Sequence, residues 1–455
     1  MPHQKQKNSF KERTQALLGE TSFAALDAAL QEEAPVSIRI NPKKQALTPD
    51  HTPIPWCQTG YYLSKRPAFT LDPLLHAGTY YVQEASSMFL EQAVKQYISE
   101  PIRCLDLCAA PGGKSTLLLE TLPEKSLLVS NEVIRSRSHI LSENCTKWGS
   151  PYSITTNNDP ESFSKLPHFF DLVVADLPCS GEGMFRKDAD SIGEWSVDNV
   201  KLCAARQRRI IHDCWETLKP GGIFAYCTCT YNTEENEENI QYIVDTFGAK
   251  ALPIETKPEW NISPAIASDL PVYRFFPHKT KGEGFFLALL QKESASTTPS
   301  HPPKKQKKAG KKAPLIIPPL AHTWLANDED FQYDRQGDHI FAIPSIHWNN
   351  YSLLTKHLYI VSAGVRIGEL KGKDLVPSHS LAMSIALAPS AFPTAELSYT
   401  DAISYLRKEA LQLPAECPKG YVLVTYQNHP LGFVKQLGNR ANNLYPQEWR
   451  IRKKP

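Results

Sequence analysis

Between Ile102 and Leu290 short apolar runs alternate with helical patterns, and that alternation restricts the chain to an α/β fold on a mostly parallel sheet. Ile102–Cys108, Ser126–Val133, Phe170–Pro178 and Gly221–Thr230 read as buried strands, with a further strand before Asp159. Helical patterns occupy Ser115–Thr121, Arg135–Trp148, Val197–Leu218 and Thr233–Phe247. In the last, Thr233 reads as the N-cap, with Glu234 and Glu235 in the first turn complementing the helix dipole. Tyr273–Leu290 reads as two antiparallel strands around a Lys281-Gly282-Glu283-Gly284 turn.

The flanking regions are less regular. Ser22–Leu30 suggests a helix, Val36–Pro42 a strand ended by proline, and Tyr80–Ile98 a helix leading into the sheet. From Glu293 to Pro319 the chain carries six lysines, many prolines and no aromatic residue, too little apolar area to offset ordering entropy. That composition predicts a flexible linker over 293–319. Beyond it, 320–455 reads as a separate small domain with strands at Phe341–Ser345, Leu358–Ser362, Gly420–Gln427 and Leu431–Leu437.

At 455 residues the chain is too long for one compact core. Its net charge of +2 provides no global basic field, so any nucleic-acid contact must come from local Lys and Arg clusters. Ten cysteines without a C-x-x-C pair read as reduced thiols in a cytoplasmic protein. No stretch is apolar for long enough to cross a bilayer as a helix, so no membrane partner is expected.

Ligands of open α/β sheets sit at the carboxyl ends of strands. The first strand runs directly into Cys108-Ala109-Ala110-Pro111-Gly112-Gly113-Lys114, where paired glycines let backbone approach a ligand closely and Asp106 can anchor polar groups. Gly113-Lys114-Ser115 ends like a P-loop, but that pattern needs a glycine where Cys108 stands. Glu132, at the end of the second strand, stands where an acid that takes ribose hydroxyls is expected. Asp159 either faces an adenine edge or initiates its Asp-Pro turn.

Two further strand ends carry Asp176-Leu177-Pro178-Cys179 and Cys227-Thr228-Cys229-Thr230 on the same rim. Free cysteines are usually small buried hydrophobes, but clustering on a ligand-binding rim favours chemistry. Cys104 with Cys108 and Cys227 with Cys229 lack structural-zinc spacing, so no metal is expected. A nucleophilic cysteine must have its pKa lowered by positive charge or dipoles, and Lys114 and Arg186 are the available candidates.

In this order and context, DLCAAPGGKS, Asn131-Glu132, DLPCSGEGMFRKD and CTCTYNTEENE resemble the motifs of the Sun-type RNA cytosine-C5 methyltransferases, and within them the bacterial enzymes acting on 16S ribosomal RNA. SIRINPKK, YYVQEASSM, HKTKGEGFF and LGNRANNLYPQEWRI extend the resemblance over nearly the whole chain. It implies a Rossmann-like class I methyltransferase with a mostly parallel seven-stranded sheet at 101–292. It also implies an α/β RNA-binding extension at 1–100 and a PUA-like RNA-binding domain at 320–455. S-adenosylmethionine would be held by residues 108–114, Glu132, Asp159 and Asp176. Cys229 would be the nucleophile and Cys179 would assist product release, with Asp176 and Lys114 completing the catalytic set. Asp176 would also hydrogen-bond the target base.

The partner so implied is ribosomal RNA or the small ribosomal subunit, met by a monomer. Cys227 stands where related sequences often have serine, a third thiol beside the nucleophile. Arg186, Lys187, Lys371, Lys373, Lys435, Arg440, Arg450 and Arg452 are candidate phosphate contacts. A DNA cytosine-C5 methyltransferase attacking through Cys179, and a noncatalytic RNA-binding assembly protein, are the competing readings.

Overall fold

A computed structural model describes residues 2–45, 51–187, 191–266, 268–293, 317–372 and 374–452. Apart from its two ends, the segment expected to be a linker lies outside the described residues, as does Lys373.

The centre is a nine-stranded sheet. Its strands are β1 (Arg103–Asp106), β2 (Leu127–Asn131), β3 (Ser153–Thr156), β4 (Phe170–Asp176), β5 (Leu218–Thr228), β6 (Lys250–Leu252), β7 (Val272–Phe275), β8 (Phe285–Gln291) and β9 (Ile360–Ala363). They run in the order β6-β8-β5-β4-β1-β2-β3-β9, with β7 also pairing with β8. β1 to β5 are mutually parallel and the other pairs antiparallel. Every residue of β2 and β3 is buried, as a strand covered on both faces requires. Helices α1 (Gly113–Thr121), with Leu117 and Leu118, and Leu90–Tyr97, with Leu90 and Val94, cover one face. α3 (Val197–Cys214) and α4 (Glu237–Phe247) cover the other through Ile210, Ile211, Ile240 and Ile243. α2 (Arg135–Trp148) lays Leu141 against Ala109 and Ala110 of the glycine turn.

Seven strands were expected, and β6 and β9 are the additions. β9 comes from Leu358–Ser362, which the sequence reading assigned to a separate carboxyl-terminal domain. It pairs antiparallel with β3, and the helix Trp348–His357 before it sends Tyr351 and Leu354 into the central core. An uncovered β3 would present a row of free amides and carbonyls at a sheet edge, which β9 satisfies. The rest of 317–452 forms two four-stranded sheets, one over Phe331–Pro377 and one over Thr394–Asn443, joined by a shared apolar cluster.

Tyr80–Ile98 is not one helix: Tyr80–Val82 is an edge strand, followed by a 3-10 turn at Ser86–Phe89 and then Leu90–Tyr97. Its strand joins Val36–Ile40, Thr52–Ile54 and Cys57–Leu63 in an amino-terminal sheet. That sheet is tied to α1 by Arg39, which is fully buried and bonds Gln83, Thr116 and Glu120. The polar first residues form a helix, Pro2–Leu18, whose Phe10 packs on Phe185 and Trp195.

Candidate active site

The glycine turn, the Asp176 strand end and both cysteine loops occupy neighbouring carboxyl ends of β2, β1, β4 and β5. Gly112 has φ +118°, a left-handed conformation open to glycine, and starts α1 so that the helix amino terminus points into the rim. α2 steadies the turn: Arg137 donates to the Ala110 carbonyl at 2.8 Å and Asn144 to that of Pro111 at 2.8 Å. Asp106 is fully buried, accepts from Ser115 Oγ at 2.7 Å, and has its other oxygen without a partner. Burial pushes its carboxyl up to about 7. Glu132 is buried and accepts the Ile134 amide at 2.9 Å, with Arg137 at 3.4 Å. An unpartnered acceptor, a second buried acid and a close-approach glycine turn fit a ligand bearing donors and ribose hydroxyls.

Lys114 reaches across to Asp176, Nζ to Oδ2 at 2.7 Å. Burial opposes its charge, but Asp176 more than offsets this and holds the ammonium above its ordinary pKa. The Asp176 side chain stays 40% exposed, so its free oxygen can meet a substrate.

Cys179 and Cys229 meet with sulfurs 3.2 Å apart, both half-buried. The Cys229 sulfur, burial and the Glu235 charge together push the Cys179 thiol well above the ordinary range. Either sulfur can donate to the other, and the Cys229 amide also donates to the Cys179 sulfur at 3.4 Å.

Their loops are fastened by an exchange of carboxylates. Glu182, from the Cys179 loop, accepts the Tyr231 and Asn232 amides at 2.7 and 3.0 Å. Glu235, from the Cys229 loop, accepts the Ser180 amide at 3.0 Å and Gln207 at 2.8 Å. Asn232 Nδ2 bridges the two acids at 3.1 and 2.9 Å. Trp195 also donates to Glu182 at 3.0 Å. Every one of these partners is a donor, and both acids meet them as acceptors.

Residues 97–291 match the family described as 16S rRNA methyltransferase RsmB/F. Residues 7–85 match the N-terminal domain of 16S rRNA methyltransferase RsmF, and 392–451 the methyltransferase RsmF PUA domain. Ribosomal RNA small subunit methyltransferase F of Erwinia tasmaniensis is 32% identical over 425 residues, covering 90% of this chain and 86% of that one. The protein of the same name from Enterobacter sp. is 30% identical over 460 residues, covering 95% and 93%. The chain belongs to the RsmB/F methyltransferase family. A methyltransferase homolog from Pyrococcus horikoshii superposes with a TM-score of 0.53 at 26% identity, over 62% of this chain and 93% of that one. NSun6 from Pyrococcus horikoshii with SFG gives 0.53 at 20% identity over 62% and 97%, a likeness of fold.

Several expectations are revised within this family frame. Arg186 does not face a thiolate or solvent: its side chain is buried, bonding Glu283 at 3.0 Å, the Gly282 carbonyl at 2.6 Å and the Ala29 carbonyl at 3.3 Å. Lys114 is committed to Asp176, Nζ to Oδ2 at 2.7 Å, and does not serve either cysteine as a free cation. Cys227 is fully buried in the core and its thiol pushed up by burial, so it does not compete with Cys229. Thr233 is no N-cap: α4 starts only at Glu237, because residues 230–236 are spent on the loop that carries Asn232 and Glu235. Asp159 is exposed and caps its own turn, accepting the Glu161 amide at 3.1 Å.

Glu235, expected in the first turn of a helix, instead ties the two loops together, and Glu182, Gln207 and Asn232 join it there without any role expected from sequence.

Proposed function

We propose that this chain transfers a methyl group from S-adenosylmethionine to carbon 5 of a cytosine in 16S ribosomal RNA, with Cys229 as nucleophile and Cys179 assisting release. The observation that carries the reading is the 3.2 Å contact between Cys179 and Cys229, on the rim that also bears the glycine turn. Residues 108–114, Glu132 and Asp176 would hold the cofactor, with Asp159 at the outer edge. Bound there, S-adenosylmethionine supplies an electrophilic methyl group on sulfur.

The Cys229 thiolate adds to carbon 6 of the extruded base and makes carbon 5 nucleophilic. Asp176, anchored by Lys114, offers its second oxygen to the base. Release requires loss of the carbon 5 proton to a base and breaking of the carbon 6–sulfur bond. Cys179, its sulfur 3.2 Å from that of Cys229, stands where it would assist this departure.

The test separates the two sulfurs. Cys179→Ala should accumulate a denaturation-resistant RNA adduct and Cys229→Ala should form none. The reverse pattern would transfer the nucleophile to Cys179. No described helix is long and apolar enough to span a membrane, and the reading places a monomer in the cytoplasm.

A further inference from the structure

We infer that the groove between the amino-terminal sheet and the Gly282–Gly284 hairpin is the track for single-stranded RNA flanking the target cytosine. The inference rests on the RNA-methyltransferase reading and adds the surface that holds the strand. Lys65, Arg66, Lys187, Lys279 and Lys281 line this groove from three distant segments, and all five are exposed. Among the described residues none of them pairs with a carboxylate within 4.0 Å, whereas the adjacent Arg186 is neutralised by Glu283. Scattered surface lysines are ordinary; five cations without a carboxylate partner among the described residues, converging on one concave face, form a site for a polyanion.

The acids on the groove are arranged around this charge. Glu84 is turned onto the amides of Ser86, Ser87 and Glu283 at 2.8, 2.9 and 2.8 Å. Glu32 and Glu33 stand on the lip formed by the end of the amino-terminal helices. On the carboxyl-terminal sheets Lys371 pairs with Glu369 at 3.4 Å and Lys435 with Asp374 at 3.8 Å.

The groove also leads to the chemistry. Its wall includes Gly282, two residues before Gly284, whose backbone packs directly on Gly183. Gly183 in turn donates to the Cys229 carbonyl at 2.8 Å. The groove wall is thus tied through backbone to the loop that carries Cys229. Single-stranded RNA is the occupant favoured here, because a base must leave its stack to meet Cys229 and phosphates on either side must then be held.

The experiment uses the full chain carrying Cys229→Ala, titrated with a fluorescent single-stranded 16S rRNA fragment between about 50 and 200 mM salt. Each phosphate contact in single-stranded RNA contributes about 0.7 to the salt slope, so adding Lys65→Ala, Arg66→Ala and Lys281→Ala should lower the slope by ~2. Over a fourfold change in salt, affinity should then fall about 20-fold less steeply than in the parent. Replacing both lysines with arginine, leaving Arg66 in place, should retain the slope, which a mere loss of packing would not explain. Thermal melting of each variant separates misfolding from lost contacts.

An unchanged slope in a folded triple variant overturns the track. A defect seen only with assembled small subunits, and not with naked RNA, assigns the groove to a protein partner instead and overturns it equally. Failure of the wild-type chain to methylate RNA would defeat the functional reading, while the binding titration would still report on the groove.

Discussion

Gly183→Ala should inactivate the enzyme by moving Cys229 without touching either sulfur. A Cβ at Gly183 would lie 2.8 Å from the Gly284 carbonyl oxygen, 2.9 Å from that of Cys229 and 2.9 Å from Gly284 Cα. All three are backbone atoms, and no flexible side chain can yield. Ordinary contact needs about 3.5 Å, so the strand ends must part by roughly 0.5–1 Å. Overpacking of this kind costs about 1–3 kcal/mol. A misplacement near 1 Å at a reacting group costs about 100-fold in rate.

Gly181→Ala is the matched control. Gly181 has φ +73° but nothing within 4 Å of its Cβ position, so the change strains the backbone by about 1–2 kcal/mol without pushing the Cys229 loop. Both variants should lose comparable stability by calorimetry. Single-turnover methyl transfer should fall about 100-fold for Gly183→Ala and by less than about tenfold for Gly181→Ala. Equal losses, or a Gly183→Ala enzyme within about threefold of wild type, would refute the argument that backbone contact sets the position of Cys229.

Glu182→Gln places an amide donor against the Tyr231 and Asn232 amides. It should cost about 1–3 kcal/mol and slow adduct resolution more than adduct formation, as read by quenched time courses. Arg39→Met leaves Glu120 beside the amino-terminal sheet without its ion-pair partner and should destabilise the chain by about 3–5 kcal/mol, measured by urea unfolding. Asp106 has a folded pKa raised from 3.8 to about 7. Below 3.8 both states hold the proton and the group contributes nothing. As pH rises toward 7 the unfolded chain alone ionises and stability falls, and above 7 the whole cost is present. Asp106→Asn should therefore gain stability relative to wild type at pH 8 but much less at pH 5, compared by thermal melting.

The central sheet was legible because its signal is local. β1, β2, β4 and β5 are apolar runs ending in glycine, proline or polar residues, and the rim they share follows from parallel connectivity. β9 was not legible, because Ile360–Ala363 reads like any short strand and only the uncovered edge of β3, some 200 residues earlier in sequence, determines where it pairs. Tyr80–Ile98 misled for the opposite reason. Its helical periodicity is real over Leu90–Tyr97, but Tyr80–Val82 is captured by Val36–Ile40 through pairing that no local pattern encodes.

The site divides along the same line. The side chains proposed to meet ligand or substrate, Cys179, Cys229 and Asp176, lie in motifs readable by position, whereas their environment depends on contacts between motifs. Arg186 reads as a free cation until Glu283 is seen beside it. Glu235 reads as a helix first-turn acid until it is found accepting the Ser180 amide of the other loop, as Glu182 accepts that of Tyr231. The apparent N-cap at Thr233 fails because Tyr231 and Asn232 bond those acids before α4 begins, so the loop geometry follows the carboxylate exchange and not helix propensity. The two sulfurs are therefore held together by carboxylate bonds between their loops, and reactivity should be sensitive to any change that separates those loops.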